Sequence, residues 1–327
     1  VADTENCLTA KCCKTSGHHC YKKDAKTAMC KKYQKCESGW DCTELLPEYA
    51  LEPAAYLEGQ GLYCYEVYVA KAAPSKTNIK DKDIIQAQFA RGLSIFGCDK
   101  WDVFSDVDAS FTRADGSSLS AVKVENNGDF YKLMRKDKPK YINTPIFYQV
   151  WKALRDRGTY KGAAWVVKVD PPTVFLPARL RTVVSTKPQF TEGLYFENCP
   201  NVLSGFFGNL EVTSEKAFEV AMTYLEECYG QLCWKNDDDA SREDCKVPWK
   251  FGPWGEDKFF QECMDRHGVR KIEDFDLTIS GTCPSNRPKA EKDNSKWVPG
   301  CAGVKQAAVH PFRNTTSWLS CLSDLGA

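Results

Sequence analysis

The sequence predicts an α/β layer fold with a largely parallel sheet, preceded by a small disulfide-rich module, and three observations carry that expectation. From Leu62 onward, short segments rich in β-branched and aromatic residues alternate with helical periods, the pattern of strands covered by helices. Seven of the 17 cysteines fall within the first 42 residues, a density that marks a module too short to fold on packing alone. Over 327 residues the composition is 43% hydrophobic and 12% aromatic, which supplies one large core or two smaller ones.

Taken in order, residues 1–43 hold Cys7, Cys12, Cys13, Cys20, Cys30, Cys36 and Cys42 and form the stapled module. Residues 44–61, with Pro47 and Pro53, read as a connector, and residues 62–327 as the α/β domain. Its strands are expected at Leu62–Ala70, Leu93–Cys98, Trp101–Ser105, Ala163–Val169 and Val202–Phe207. A helix should begin at Thr144-Pro145, bury Ile146, Phe147, Val150, Trp151 and Leu154, and stop at Gly158. A second should run from Ser214 to Cys228 with Ala217, Ala221, Leu225 and Cys228 on one stripe and Gly230 as its stop. The third covers Glu256 to His267, packs Phe259, Phe260, Cys263 and Met264, and ends at Gly268.

Cysteine usage sets the compartment. A reducing cytosol would keep such a set reduced unless it bound metal, and Cys12-Cys13, His18 and His19 do not fall into zinc-ligand spacing. Disulfides in a secreted or lumenal protein are the expectation, with Val1 following a removed signal peptide and Asn314 in the sequon Asn314-Thr315-Thr316 open to glycosylation. Because 17 is odd, at least one cysteine is free or bonded to another molecule. The 44 basic and 44 acidic residues cancel, which argues against nucleic acid as a partner, and no apolar run approaches the length of a membrane span.

The segment Ala164–Val169 runs directly into Asp170-Pro171-Pro172, so a carboxylate stands at the carboxyl end of a central strand, where open α/β sheets bind ligands. Asp170 suits a hard divalent cation or a sugar hydroxyl; equally, it opens a proline turn. Glu256 and Asp257 begin a helix, where capping alone would explain them. The run Asp237–Asp239 reads as a solvated loop between Cys233 and Cys245, and Tyr21, Tyr33 and Trp40 as structural aromatics of the module, with a sugar-stacking face as the alternative.

Five segments in family order, TPIFYQVWKAL, WVVKVDPPTVFLPARL, YFENCPNVLSGFFGNLEVTS, GEDKFFQECMDRHGV and VHPFRNTTSWLSC, resemble the catalytic domain of type A glycosyltransferases, nearest in character to fringe-like and core-1-like β1,3-transferases. The resemblance implies a Rossmann-like mixed sheet flanked by helices, a UDP-sugar donor and a carbohydrate or glycoprotein acceptor. It implies Asp257 as the base on the acceptor hydroxyl with Glu256 as the fallback, Asp106 of Asp106-Val107-Asp108 on the donor side, and Asp170 and His310 at the donor diphosphate and its metal. Pro172 stands where the family carries a second acid, so Mn2+ or Mg2+ should be held weakly. Phe206 and Phe207 resemble the acceptor-side loop, although adjacent phenylalanines also suit a core. Two classes follow: a transferase, or a glycan-binding or structural glycoprotein that keeps the fold without turnover.

Overall fold

The computed structural model describes residues 5–9, 18–32, 37–42, 44–45, 61–70, 81–125, 131–135, 138–188, 190–200, 205–232, 254–281, 283 and 300–325. The chain divides into two compact units, Val1–Glu58 with Thr182–Pro188, and Gly59–Arg181 with Gln189–Ala327.

In the first unit, β1 (His18–Lys22) pairs antiparallel with β2 (Ala28–Lys32) and with β3 (Glu44–Leu45), so the start of the expected connector is a strand. Its small core is Cys7, Cys20, Ala28 and Cys30, with Cys7 bonded to Cys20. Trp40 receives the ammonium groups of Lys23 and Lys31 at 5.7 and 5.3 Å from its ring, contacts that need no sugar to explain them. Tyr33, like the run Asp237–Asp239, lies outside the described residues.

The second unit opens with β4 (Gly61–Tyr68), α1 (Asp81–Arg91), a 3-10 turn at Ser94–Gly97, β5 (Lys100–Ser105) and the short strands β6 (Ser110–Thr112), β7 (Ser118–Ser120) and β8 (Val122–Lys123). It continues through the hairpin β9 (Tyr131–Arg135) and β10 (Lys138–Ile142), then α2 (Thr144–Arg157), β11 (Ala163–Val169), β12 (Val174–Phe175) and α3 (Pro177–Val184), whose residues from Thr182 on count with the first unit. After these come β13 (Leu194–Glu197), β14 (Leu210–Ser214), α4 (Glu215–Thr223), α5 (Leu225–Gly230) and α6 (Glu256–Arg266). The last elements are β15 (Arg270–Glu273), β16 (Thr278–Ser280), β17 (Ala308–His310) and α7 (Thr315–Asp324).

Seven strands form one sheet in the order β15-β13-β14-β11-β4-β5-β8. The sheet is mixed: β14 runs antiparallel to both neighbours, β13 and β11, while the other junctions are parallel. A three-stranded sheet, β12-β17-β16, carries the C-terminal segment.

Two strand expectations give way. Leu93–Cys98 is the 3-10 turn, because Ser94 takes a left-handed φ of 55° that an extended run cannot contain. Of Val202–Phe207, residues 202–204 lie outside the described set and Gly205–Phe207 is loop between β13 and β14. Among the helices, α2 starts from Asn143 as its cap and ends at Gly158 with φ 60°, burying all five expected residues. The second helix is broken at Tyr224 into α4 and α5, and Ser214 caps it by accepting from the Ala217 N–H. Trp151 of α2 stacks on Phe259 and Phe260 of α6 at 5.6 and 4.7 Å, which fixes those two helices on one face of the sheet.

All twelve cysteines among the described residues are disulfide-bonded. In the large unit Cys64–Cys98 ties β4 to the turn before β5, Cys228–Cys263 joins α5 to α6, Cys301–Cys321 ties α7 to the preceding loop, and Cys199–Cys283 joins two loop positions. No helix among the described residues is long and apolar enough to cross a membrane.

Candidate functional site

Lys168 is the residue around which the polar groups gather. It lies on β11 between Val167 and Val169, its side chain is 1% exposed, and its stem passes the Phe147 ring with the ammonium 5.0 Å from the centroid. Burial alone would discharge an ammonium. Here Nζ stands 2.6 Å from Asp170 Oδ1, 3.1 Å from Glu256 Oε1 and 3.7 Å from Glu211 Oε1, and it donates to Gly208 O at 2.5 Å. Those carboxylates overcome the burial and hold Lys168 well above the usual lysine range.

Each partner is placed by a separate element. Asp170 follows β11 and, half-exposed, also opens the turn, its carbonyl accepting from Thr173 N at 2.9 Å. Glu211 comes from β14. Glu256 is the first residue of α6, which is docked on the start of α2 by Asn143 Oδ1 accepting the Glu256 N–H at 3.1 Å. Gly208 is presented by the buried Asn198, whose amide donates to Phe207 O and Leu210 O and accepts from Phe207 N. A Cβ at Gly208 would sit 2.8 Å from Glu256 Oε1 and 3.4 Å from Lys168 Nζ. The variant Gly208→Ala should therefore displace Glu256 from Lys168 and cost about 1–3 kcal/mol, read by urea unfolding; a loss below the error of that measurement would refute the close approach.

Asp257 lies beside this cluster. Burial, then the neighbouring Glu256 charge, pushes its carboxyl up to about 6, against the N–H of Lys258, which donates to its Oδ1 at 2.7 Å. Glu211, wholly buried with neither carboxylate oxygen hydrogen-bonded, is pushed well above the carboxylate range by burial despite Lys168.

On the other side of Asp170, Glu66 of β4 is fully buried and pushed well above its ordinary value by burial, while Asp81 of α1 is raised to about 6 by burial and by Asp170. His310, at the end of β17, has its Nδ1 sealed from solvent without a hydrogen-bond partner. Burial, and secondarily the charge of Lys168, lowers its imidazole to about 3, so it is neutral at physiological pH. Phe207 packs edge-on to it at 6.1 Å, whereas Phe206 is in the core.

The structure thus gathers Asp170, Glu256, Asp257 and His310 around one buried ammonium at the carboxyl edge of β11. Asp106 is not part of that gathering: it follows β5 and its Oδ1 accepts the Ala70 N–H at 2.7 Å, which pins the chain leaving β4. Asn314 is exposed and caps α7 by accepting from Ser317 N at 2.9 Å. Lys168, Glu211 and Glu66 are not picked out by any motif in the sequence. Their signal was a charge set inside an apolar strand, as in VVKV, YCYEVY and NLEVTS, where it must find a partner.

Asp170 and His310 are joined by no third metal-ligand side chain within binding distance among the described residues. Among the described residues one triple of metal-ligand side chains converges within 4.8 Å, Cys228, Cys263 and His267, and its two sulfurs form a disulfide. Asp170 and His310 belong to no such group, Pro172 offers no side-chain oxygen, and Asp170 is engaged by Lys168.

No protein-family model matches the chain, and no curated protein matches it. Among solved structures, a glycosyltransferase involved in the glycosylation of the major capsid of PBCV-1 is similar over 80% of this chain and 98% of its own length, at 11% identity and a TM-score of 0.36. At that TM-score the likeness carries no argument about chemistry.

Proposed function

We propose that the large unit is a sugar-transfer domain of the glycosyltransferase type, in a secreted or lumenal glycoprotein, that moves a hexosyl group from a nucleoside diphosphate donor to a glycan hydroxyl. The observation that carries this reading is Asp257. It is a carboxylate tuned to about 6 beside Glu256 and Asp170, at the sheet edge where α/β folds bind ligands. In its ionised form Asp257 takes the proton from the acceptor hydroxyl as that oxygen bonds to the anomeric carbon. The bond from the anomeric carbon to the diphosphate breaks, and the electron pair leaves on the diphosphate. Lys168 keeps Asp170 and Glu256 in register, and neutral His310 offers an imidazole to the donor without adding charge.

With Pro172 in place of a second acid and Asp170 engaged by Lys168, donor binding should depend only weakly on manganese. Calorimetry of a UDP-hexose panel with and without Mn2+ checks this, and Pro172→Asp should strengthen the manganese dependence by adding a carboxylate to the turn. Tight, manganese-dependent binding by the unmodified chain would overturn it. The second reading, a glycan-binding protein without turnover, is favoured by the same Lys168, because it satisfies internally the acids that the chemistry would use. Single-turnover transfer to oligosaccharide acceptors separates the two readings. An odd cysteine also leaves room for an intermolecular disulfide, which non-reducing electrophoresis would reveal.

A further inference from the structure

A groove of about 480 Å3 opens at the amino end of β11, between the C-terminus of α2 and the outer face of α4. Tyr160 and Lys161 line it just before the strand begins, whereas Asp170 stands beyond the other end, about 20 Å away along seven residues of β11. The groove is therefore separate from the Lys168 cluster.

Its lining has three parts. Met222, buried, forms apolar floor. Tyr224 forms a lip and is the one exposed large hydrophobic side chain among the described residues, at 38%. Its ring is fixed by parallel stacking on His267, with centroids 3.6 Å apart and planes 4° from parallel, so an aromatic surface is held in place at the groove with little left to order on binding.

The third part is charge. Arg155, Lys161 and Lys216 line the groove with the acid Glu219, and Glu215 stands beside it, accepting the Gly162 N–H at 2.6 Å. Arg155 is committed to Glu226 through two contacts at 2.6 and 2.8 Å, and Lys216 meets Glu219 only at 3.9 Å. Lys161 has an exposed ammonium for which no ion pair is found among the described residues; its backbone carbonyl instead accepts from Lys100. An aromatic ring beside an apolar floor suits the apolar face of a pyranose, and the exposed ammonium of Lys161 suits an anionic substituent on that ring.

We infer that this groove is a glycan-docking site, distinct from the carboxyl-edge cluster, that takes a pyranose bearing an anionic group such as a uronate or a sulfate ester, with Tyr224 as the stacking platform and Lys161 and Lys216 as the anion contacts. It requires no turnover and stands apart from the transfer reading.

The test titrates the full chain with a galacturonic acid hexamer and, separately, with cellohexaose, by calorimetry and ligand-observed NMR. The acidic hexamer should bind, and Tyr224→Ala and Lys161→Gln should each weaken it about tenfold. Cellohexaose should bind at least about tenfold more weakly, as expected when charge-assisted contacts are lost. Asp257→Asn should change nothing here, which keeps failure of this site distinguishable from failure of the transfer site. Lys161 is exposed, so its variant tests the groove even if Tyr224→Ala perturbs the α4–α5 junction. No binding of the acidic hexamer, or binding indifferent to both variants, would overturn the site; equal binding of cellohexaose would overturn the anionic class.

Discussion

Lys168→Met is expected to destabilise the protein by about 3–5 kcal/mol, the usual cost of removing one partner from a buried ionic cluster. The side chains are close in shape, so the loss is electrostatic: Glu256 and Asp170 lose the ammonium at 3.1 and 2.6 Å, and Gly208 O loses its donor. Two further measurements identify the cause. Adding Glu256→Gln to Lys168→Met should recover part of the loss, because the neutral amide leaves no uncompensated charge. Lowering the pH should also recover part of it, since protonating the stranded carboxylates has the same effect. A destabilisation below about 1 kcal/mol, the range of surface ion pairs, would mean that solvent reaches the cluster and that Lys168 does not organise it.

The difference between what the chain's pattern reveals and what it hides follows from how local each signal is. The helix α2 is legible because Thr144-Pro145, a 3.6-residue apolar stripe and Gly158 all lie within fifteen residues and agree. The strand β11 is legible because Ala163–Val169 is short, apolar and bounded by turn residues. Leu93–Cys98 misleads for a long-range reason. Ser94 leaves the extended region where its hydroxyl donates to the buried Glu66 at 3.2 Å, and Cys98 is bonded to Cys64, both partners on β4. The antiparallel course of β14 is likewise a property of the sheet and not of its own five residues.

The site divides in the same way. Asp170, Glu256, Asp257 and His310 stand at element ends, where sequence pattern points to chemistry. Lys168 and Glu211 stand inside strands whose alternation marks them only as anomalies. Their meaning depends on β14 lying beside β11, with Val167 opposite Val212 and Lys168 opposite Glu211, which no local window contains. Asp106 shows the converse. An Asp-x-Asp after a strand looks like a donor site by pattern alone, and what the pattern does not show is that Asp106 Oδ1 also accepts the Ala70 N–H.

Asp257→Asn is expected to lower transfer by about 10²–10⁴-fold, the contribution of a positioned general base, while making the protein more stable at neutral pH. The two effects share one cause. Burial and Glu256 raise the Asp257 carboxyl from 3.8 to about 6, so the folded chain keeps a proton there that the unfolded chain has already lost. Stability from this group is therefore fully present at the acid end and is lost as pH rises from about 4 to about 6; above that, a buried charge remains, at a cost of about 1–3 kcal/mol. An asparagine carries no such charge. The wild-type rate should rise with pH through about 6 as the base ionises, and the variant should lose that limb. Its unfolding midpoint at pH 7 should exceed the wild-type value, with the gap closing near pH 4. His310 contributes with the opposite sign. Its imidazole is held neutral down to about 3, so its share of stability is lost as pH falls below about 6.5, and comparing each variant with its own parent at each pH cancels it. A variant that transfers sugar as fast as the parent would remove Asp257 from the chemistry, and one that is no more stable at pH 7 would show that the carboxylate is hydrated and not tuned by burial.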